Sequence, residues 1–190
     1  MKNLSKTFNL TDEGDVKSYL GMNISKDTNG TITMSQPAII DKILNSFGIC
    51  DESNMHDTSA NFILKKDENE NGRKKEWHYS SVFGQINYLA ETTRPNILFA
   101  KHQCAKYIIH QKQSHKESIK SIGRYFKKTK YKNIVLTPNW SNGIECYADA
   151  DYAGSWCRDY ADQVGPALSR TGYIIKFANC PIVWASKMKT

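Results

Sequence analysis

Three carboxylates gather in one short stretch, Glu145, Asp149 and Asp151 of IECYADADY. On an extended strand, side chains two residues apart share a face, so the spacing puts all three on one side. A row of carboxylates at a strand end is what a hard divalent cation requires. Mg²⁺ takes oxygen ligands, typically with one or two protein carboxylates among them. Paired ions of this kind activate water and stabilise the leaving oxygen in phosphodiester chemistry. The same spacing also suits a solvated strand face with no metal, and Asp-x-Asp by itself does not choose between the two.

A second constellation is cationic. Between Lys101 and Lys132 stand ten Lys and Arg residues and a single acid, Glu117, so this stretch carries +9 where the whole chain carries +7. Within it, Lys116, Lys120, Arg124, Lys127 and Lys128 recur at helical spacing, opposite Ile119, Ile122 and Phe126. A basic stripe on one helix face neutralises phosphates and releases their counterions. Tyr107, Tyr125, Tyr131 and Trp140 are placed to stack on bases. A solvated helix face carries the same pattern.

Other chemistries find less support. The chain has no Cys-x-x-Cys, and His102, His110 and His115 do not share a helical face, which argues against structural zinc. No Gly-x-Gly-x-x-Gly or Gly-Lys-Ser/Thr phosphate loop occurs. The cysteines (Cys50, Cys104, Cys146, Cys157, Cys180) are odd in number and scattered, and read as reduced intracellular thiols. No apolar run reaches the ~18 residues of a membrane span, and the N-terminal residues lack a secretory apolar region. The expectation is therefore an intracellular protein, cytoplasmic or nuclear, with no membrane partner. At 190 residues the chain holds one or two domains, and a 39% hydrophobic share predicts a thin or shared core.

The elements that must position these groups read in order. Two β-prone runs between Tyr19 and Ser35 flank Asp27-Thr28-Asn29-Gly30, a hairpin signal. Pro37 to Phe47 is an amphipathic helix, with Pro37 in its first turn and Gly48 past its end. Residues 51–76 turn polar and read as a loop, with Phe62-Ile63-Leu64 as an apolar anchor. Helical spacing resumes at Ser80 with Val82, Phe83, Ile86, Leu89 and Ala90 on one face. It breaks at Thr93-Arg94-Pro95 and restarts with Ile97, Leu98, Cys104, Ala105, Ile108 and Ile109 inward. Ser114 and Glu117 have capping-box spacing ahead of the basic helix. After Pro138 come three strands, Ile144–Tyr152, Thr171–Ala178 and Ile182–Ser186, with Asn179-Cys180-Pro181 as the last turn. Three strands without covering helices leave an apolar face and edges exposed.

Taken in order, the blocks YLGMNI, SQPAIIDKIL, YSSVFGQINYLAETTRPNILFA, SHKESIKSIGRYFKKT, YADADYAG and SRTGYIIKFANCPIVWASKMKT resemble the pol polyprotein of copia-type LTR retrotransposons, from about Phe8 to Thr190. The resemblance implies an α+β fold in three parts. Residues 1–36 resemble the end of a reverse transcriptase palm with a primer-grip-like hairpin. Residues 37–138 resemble a helical thumb and connection, which in the family lies along the template–primer duplex. Residues 139–190 resemble the start of a ribonuclease H sheet. It implies that Tyr19 and Gly21, with the lysines and arginine of the stripe, face nucleic acid. It places Asp149 as a catalytic, metal-binding carboxylate of the ribonuclease H centre, with Asp151 as a second metal ligand, and it implies Mg²⁺. The family activity is RNA-directed DNA synthesis with cleavage of RNA in RNA–DNA hybrids. No Asp-Asp pair of the polymerase kind occurs, and the helix that supplies a further ribonuclease H carboxylate is not encoded before Thr190. The expectation is a pol fragment without activity of its own, whose partners are an RNA–DNA or DNA duplex and the rest of the polyprotein. A host-retained, non-catalytic module binding nucleic acid or protein is the alternative. An active enzyme requires a longer translated product.

Overall fold

The structure, a computed structural model, describes residues 8–9, 11, 14–49, 54–59, 64, 77–109, 111–151 and 169–188. The expected loop at 67–75, the residues Phe62 and Ile63, and most of the excursion after Tyr152 lie outside the described residues.

The fold is α+β, with two antiparallel sheets and a body of helices. The first sheet runs in the order β1 (Ser18–Tyr19), β2 (Met22–Lys26), β3 (Ile32–Ser35) and β4 (Ile134–Leu136). The β2–β3 turn forms where Asn29-Gly30 predicts it. The Asp27 carboxylate accepts the N–H groups of Asn29 and Thr31 at 2.9 and 2.8 Å, and Gly30 takes φ +83°. A second tight turn, Leu20-Gly21, joins β1 to β2 with both residues at positive φ, 48° and 77°. That geometry matches the twist of a two-residue hairpin, and glycine adopts it without strain. β4 is not foreseen by the sequence reading. Its Ile-Val-Leu is too short to show a period, and it becomes a strand by pairing with β3.

Helix α1 (Pro37–Phe47) begins and ends as its proline and glycine dictate. Gly48 is left-handed at φ 64°, and the N–H groups of Gly48 and Ile49 close on the carbonyls of Asn45 and Leu44. Helix α2 (Tyr79–Thr92) follows the predicted face, and Thr93-Arg94 ends it. Pro95 opens a 3₁₀ turn, Pro95–Ile97, that runs into α3 (Leu98–Ala105). This helix is shorter than its apolar spacing suggests, and Ile109, expected inward, is 86% exposed. The longest helix, α4 (Gln113–Lys128), starts one residue before the predicted Ser114 cap. His115 replaces Glu117 as the residue reaching back. Buried and stacked on Tyr107 at 3.8 Å, it accepts the Lys112 N–H at its Nδ1, 3.0 Å away.

The core lies among these helices. Ile43, Ile86, Leu89, Ile97, Ile119, Ile122 and Phe126 are fully buried. Gly123 is there because α4 and α1 touch at that point: a Cβ on it would come within 2.6 Å of the Phe47 ring. Polar pins fix the ends. Gln36 Oε1 accepts both the Thr92 and Thr93 hydroxyls at 2.7 Å. Buried Arg94 donates to the Thr129 and Lys130 carbonyls at the end of α4, where the helix dipole favours a cation.

The second sheet is β5 (Ile144–Asp151), β6 (Arg170–Phe177) and β7 (Cys180–Met188), in that order. Its last turn is Ala178-Asn179, at φ 49° and 64°, one residue earlier than the proline suggested. Pro181 is accommodated on the edge strand beside a bulge at Ile175/Lys176. One face meets the helical body. The Trp184 indole N–H donates to the Ala90 carbonyl at 3.0 Å, and the Arg170 guanidinium lies 5.2 Å from the Phe99 ring centroid. The other face leaves Ile144, Phe177 and Val183 exposed, with Trp140 edge-on to Phe177.

Candidate nucleic-acid interface

Helix α4 buries well over half of its circumference, and basic residues occupy the rest. Side chains advance about 100° per residue. Lys120, Arg124 and Lys127, all partly exposed, and exposed Lys128 therefore project from one arc, together with Glu117. Lys116 falls at the edge of that arc and is only 3% exposed, which corrects its place on the stripe. Residues 115, 116, 119, 122, 123 and 126 form a broader buried face than the three apolar positions indicate, because both α1 and α3 pack against it.

Acids moderate this charge. Arg124 lies 3.9 Å from Glu117, Lys128 pairs with Asp57, and Lys130 sits 2.7 Å from Asp41 of α1. Lys101 is buried and bound to Glu91 at 2.8 Å. Lys120 pairs with no acid among the described residues. Among the aromatics proposed for stacking, Tyr131 and Trp140 are exposed at 79% and 76%. Tyr125 is buried, with its hydroxyl bonded by Asn96, and Tyr107 is half-buried against His115. Neither of these two offers a free ring face.

A groove of about 330 Å³ opens between α1 and α2, lined by Ile39, Lys42, Ser81, Gly84, Gln85 and Tyr88. The Tyr88 hydroxyl donates to the Leu20 carbonyl at 2.6 Å, holding the Leu20-Gly21 turn to α2. Tyr19 and Leu20 remain exposed, at 58% and 67%. The buried Gln85 Oε1 has no hydrogen-bond partner. Gly84 is exposed, and a Cβ there would meet nothing within 4 Å. A glycine inside a helix costs about 1 kcal/mol relative to alanine. Such a cost with no internal contact to relieve suits close approach by something from outside. The sequence reading missed this groove, although a glycine in the middle of an otherwise regular helical pattern was its visible signal.

Strand β5 places Glu145, Tyr147, Asp149 and Asp151 on one face, as the spacing predicts. The cross-strand register separates their roles. Glu145 lies opposite Lys176 and accepts the Tyr147 hydroxyl at 3.2 Å, Asp149 faces Gly172, and Asp151 faces Arg170. Burial lowers the Arg170 pKa, and the Asp151 charge acts against that shift. Glu145 is four residues from Asp149, roughly 13 Å along the strand. Among the described residues no three His, Cys, Asp or Glu side chains converge to hold a metal. The described donor set is thus two neighbouring carboxylates, one of them across from a guanidinium; a magnesium ion commonly takes one or two carboxylates from a protein and draws its remaining oxygens from water or substrate. On α3, His102 is depressed to about 4 by burial and by Lys101, Arg170 and Lys106. The Cys104 thiol is pushed up to about 12 by burial.

Among the described residues, no helix is long and apolar enough to cross a membrane. No family model and no solved structure matches the chain. Curated relatives do. The chain is 25% identical over 194 residues to a transposon Ty5-1 protein of Saccharomyces cerevisiae, covering 97% of this chain and 57% of that protein. It is 28% identical over 194 residues to the retrovirus-related Pol polyprotein from transposon TNT 1-94 of Nicotiana tabacum, covering 98% of this chain and 14% of the polyprotein. A stretch of 109 residues, 57% of the chain, is 33% identical to 7% of the Pol polyprotein from transposon RE1 of Arabidopsis thaliana. The chain therefore spans little more than half of the first relative and a small part of the polyproteins.

Proposed function

We propose, from the premise that this chain is a homologue of copia-type retrotransposon Pol polyproteins, that it is a nucleic-acid-gripping part of such a polyprotein. In this reading residues 1–36 are the end of a reverse transcriptase palm, 37–138 a thumb and connection, and 139–190 the beginning of a ribonuclease H sheet. The ligand is a template–primer duplex, and the rest of the polyprotein is the natural partner. The observation that carries the reading is the exposed arc of α4, where Lys120, Arg124, Lys127 and Lys128 stand with Glu117 as their one acidic neighbour on the helix. The Leu20-Gly21 turn and the groove beside Gly84 add a backbone surface that a duplex can approach closely.

Binding, and not cleavage, is the work of these residues on their own. In the strand register Glu145 lies across from Lys176 and Asp151 from Arg170, while Asp149 lies across from Gly172 and has no cation opposite it. Any Mg²⁺ held by Asp149 and Asp151 alone is held weakly.

Salt titration of duplex binding by fluorescence anisotropy tests the reading. The logarithm of affinity is expected to fall linearly with the logarithm of salt. Replacing Lys120 and Lys127 by Glu is expected to weaken binding and to reduce the slope by about 0.9 for each phosphate no longer neutralised. A flat salt dependence overturns it. For the catalytic half, Mg²⁺-dependent cleavage of an RNA–DNA hybrid by the purified chain, abolished by Asp149→Asn, contradicts the proposal.

A further inference from the structure

The connection between α1 and α2 returns to α4 at residues 54–59, and two of its side chains touch one flank of the basic arc. His56 Nδ1 is 2.8 Å from the Ser121 hydroxyl oxygen, and the Asp57 carboxylate is paired with the Lys128 ammonium. Ser121 and Lys128 are seven residues apart, about two helical turns, so they lie on the same side of α4. The two contacts differ in strength of hold. The His56 contact is partly buried, whereas the Asp57 side chain is 86% exposed. Asp57 is anchored by Lys128 itself, whose hydrogen bond and charge keep the carboxyl below its usual range. The pairing of Lys130 with Asp41 is of another kind, because Asp41 belongs to α1 and is fixed with the body.

An exposed lysine–aspartate pair is weakly held and screened by salt. A phosphate oxygen offers Lys128 the same acceptor, backed by the field of a polyanion. We propose that His56 and Asp57 form a displaceable cover on α4. His56 holds the segment in place, while Asp57 occupies Lys128 in the free protein and yields it to a phosphate of the bound duplex. The proposal rests on reading α4 as a nucleic-acid face and adds to it an internal competitor for one of its cations.

The test uses the whole chain, a short RNA–DNA duplex and anisotropy across a salt series. Asp57→Asn is expected to tighten binding at low salt by about two- to fivefold, the range an exposed ion pair allows. In a Lys128→Gln background the same change is expected to give no gain. Equal affinity of Asp57→Asn and the parent at every salt concentration overturns the cover while leaving α4 as the binding face. An equal gain with and without Lys128 also overturns it, since only the net charge would then matter. If the parent itself shows no salt-dependent binding, the interface reading fails and the cover falls with it.

Discussion

In the helical body Ile43, Ile86, Leu89, Ile97, Ile119, Ile122 and Phe126 are each 0% exposed, whereas in the terminal sheet the best-buried apolar residues are Ala178 and Cys180, at 2% and 8%, at the last turn. The difference is geometric. Each helix turns one stripe inward, and stripes from several elements enclose a common volume. A single three-stranded layer has two faces, and here the helices meet one of them through Trp184 and Arg170. The body thus holds its own shape, and the sheet depends on its attachment.

The comparison breaks most visibly if large losses of stability fail to concentrate in the body. Phe126→Ala is expected to destabilise by about 3–5 kcal/mol in urea unfolding, while Ile144→Ala on the exposed sheet face is expected to change stability by less than about 0.5 kcal/mol. Gly123→Ala is the next largest, at about 1–3 kcal/mol from overpacking against Phe47, seen as a lowered thermal midpoint. Gly84→Ala is its counterpart in open space. It is expected to raise the midpoint modestly while weakening duplex binding. Trp184→Phe removes the hydrogen bond to Ala90 and is expected to cost about 1 kcal/mol. Its signature is faster amide exchange in β5–β7 with the helices unchanged.

The finest test is a titration. His102 has a folded pKa of about 4, against 6.5 ordinarily. Between those values the unfolded chain takes up a proton that the folded chain refuses. The associated stability is present above pH 6.5 and is lost as pH falls towards 4. The imidazole NMR shift of His102 is expected to move only near pH 4, and His102→Gln is expected to flatten this part of the stability profile.

Local chemistry made much of the fold legible. Asn29-Gly30 marked a turn, Pro37 and Gly48 bounded α1, and the alternation of β5 placed its acids on one face. What escaped the sequence depended on neighbours from elsewhere in the chain. β4 exists because β3 offers it an edge, and Lys116 is buried because two helices crowd α4. His115 displaced Glu117 from the cap because Tyr107 holds its ring. The candidate site divides the same way. The basic stripe was readable as a period, but the pairing of its Lys128 with Asp57, and of Lys130 just beyond it with Asp41, was not, since both acids arrive from distant parts of the chain.

The pairing of β3 with β4 brings together the hydroxyls of Thr31 and Thr137, which are 106 residues apart in sequence. Every helix among the described residues lies within the loop that this contact closes. Such a long-range closure carries a large entropic cost before it returns any stability, so it belongs late in the order of assembly. Those few residues act as a clasp, and protection of the β4 amides from exchange would time the moment when the enclosed helices have finished folding.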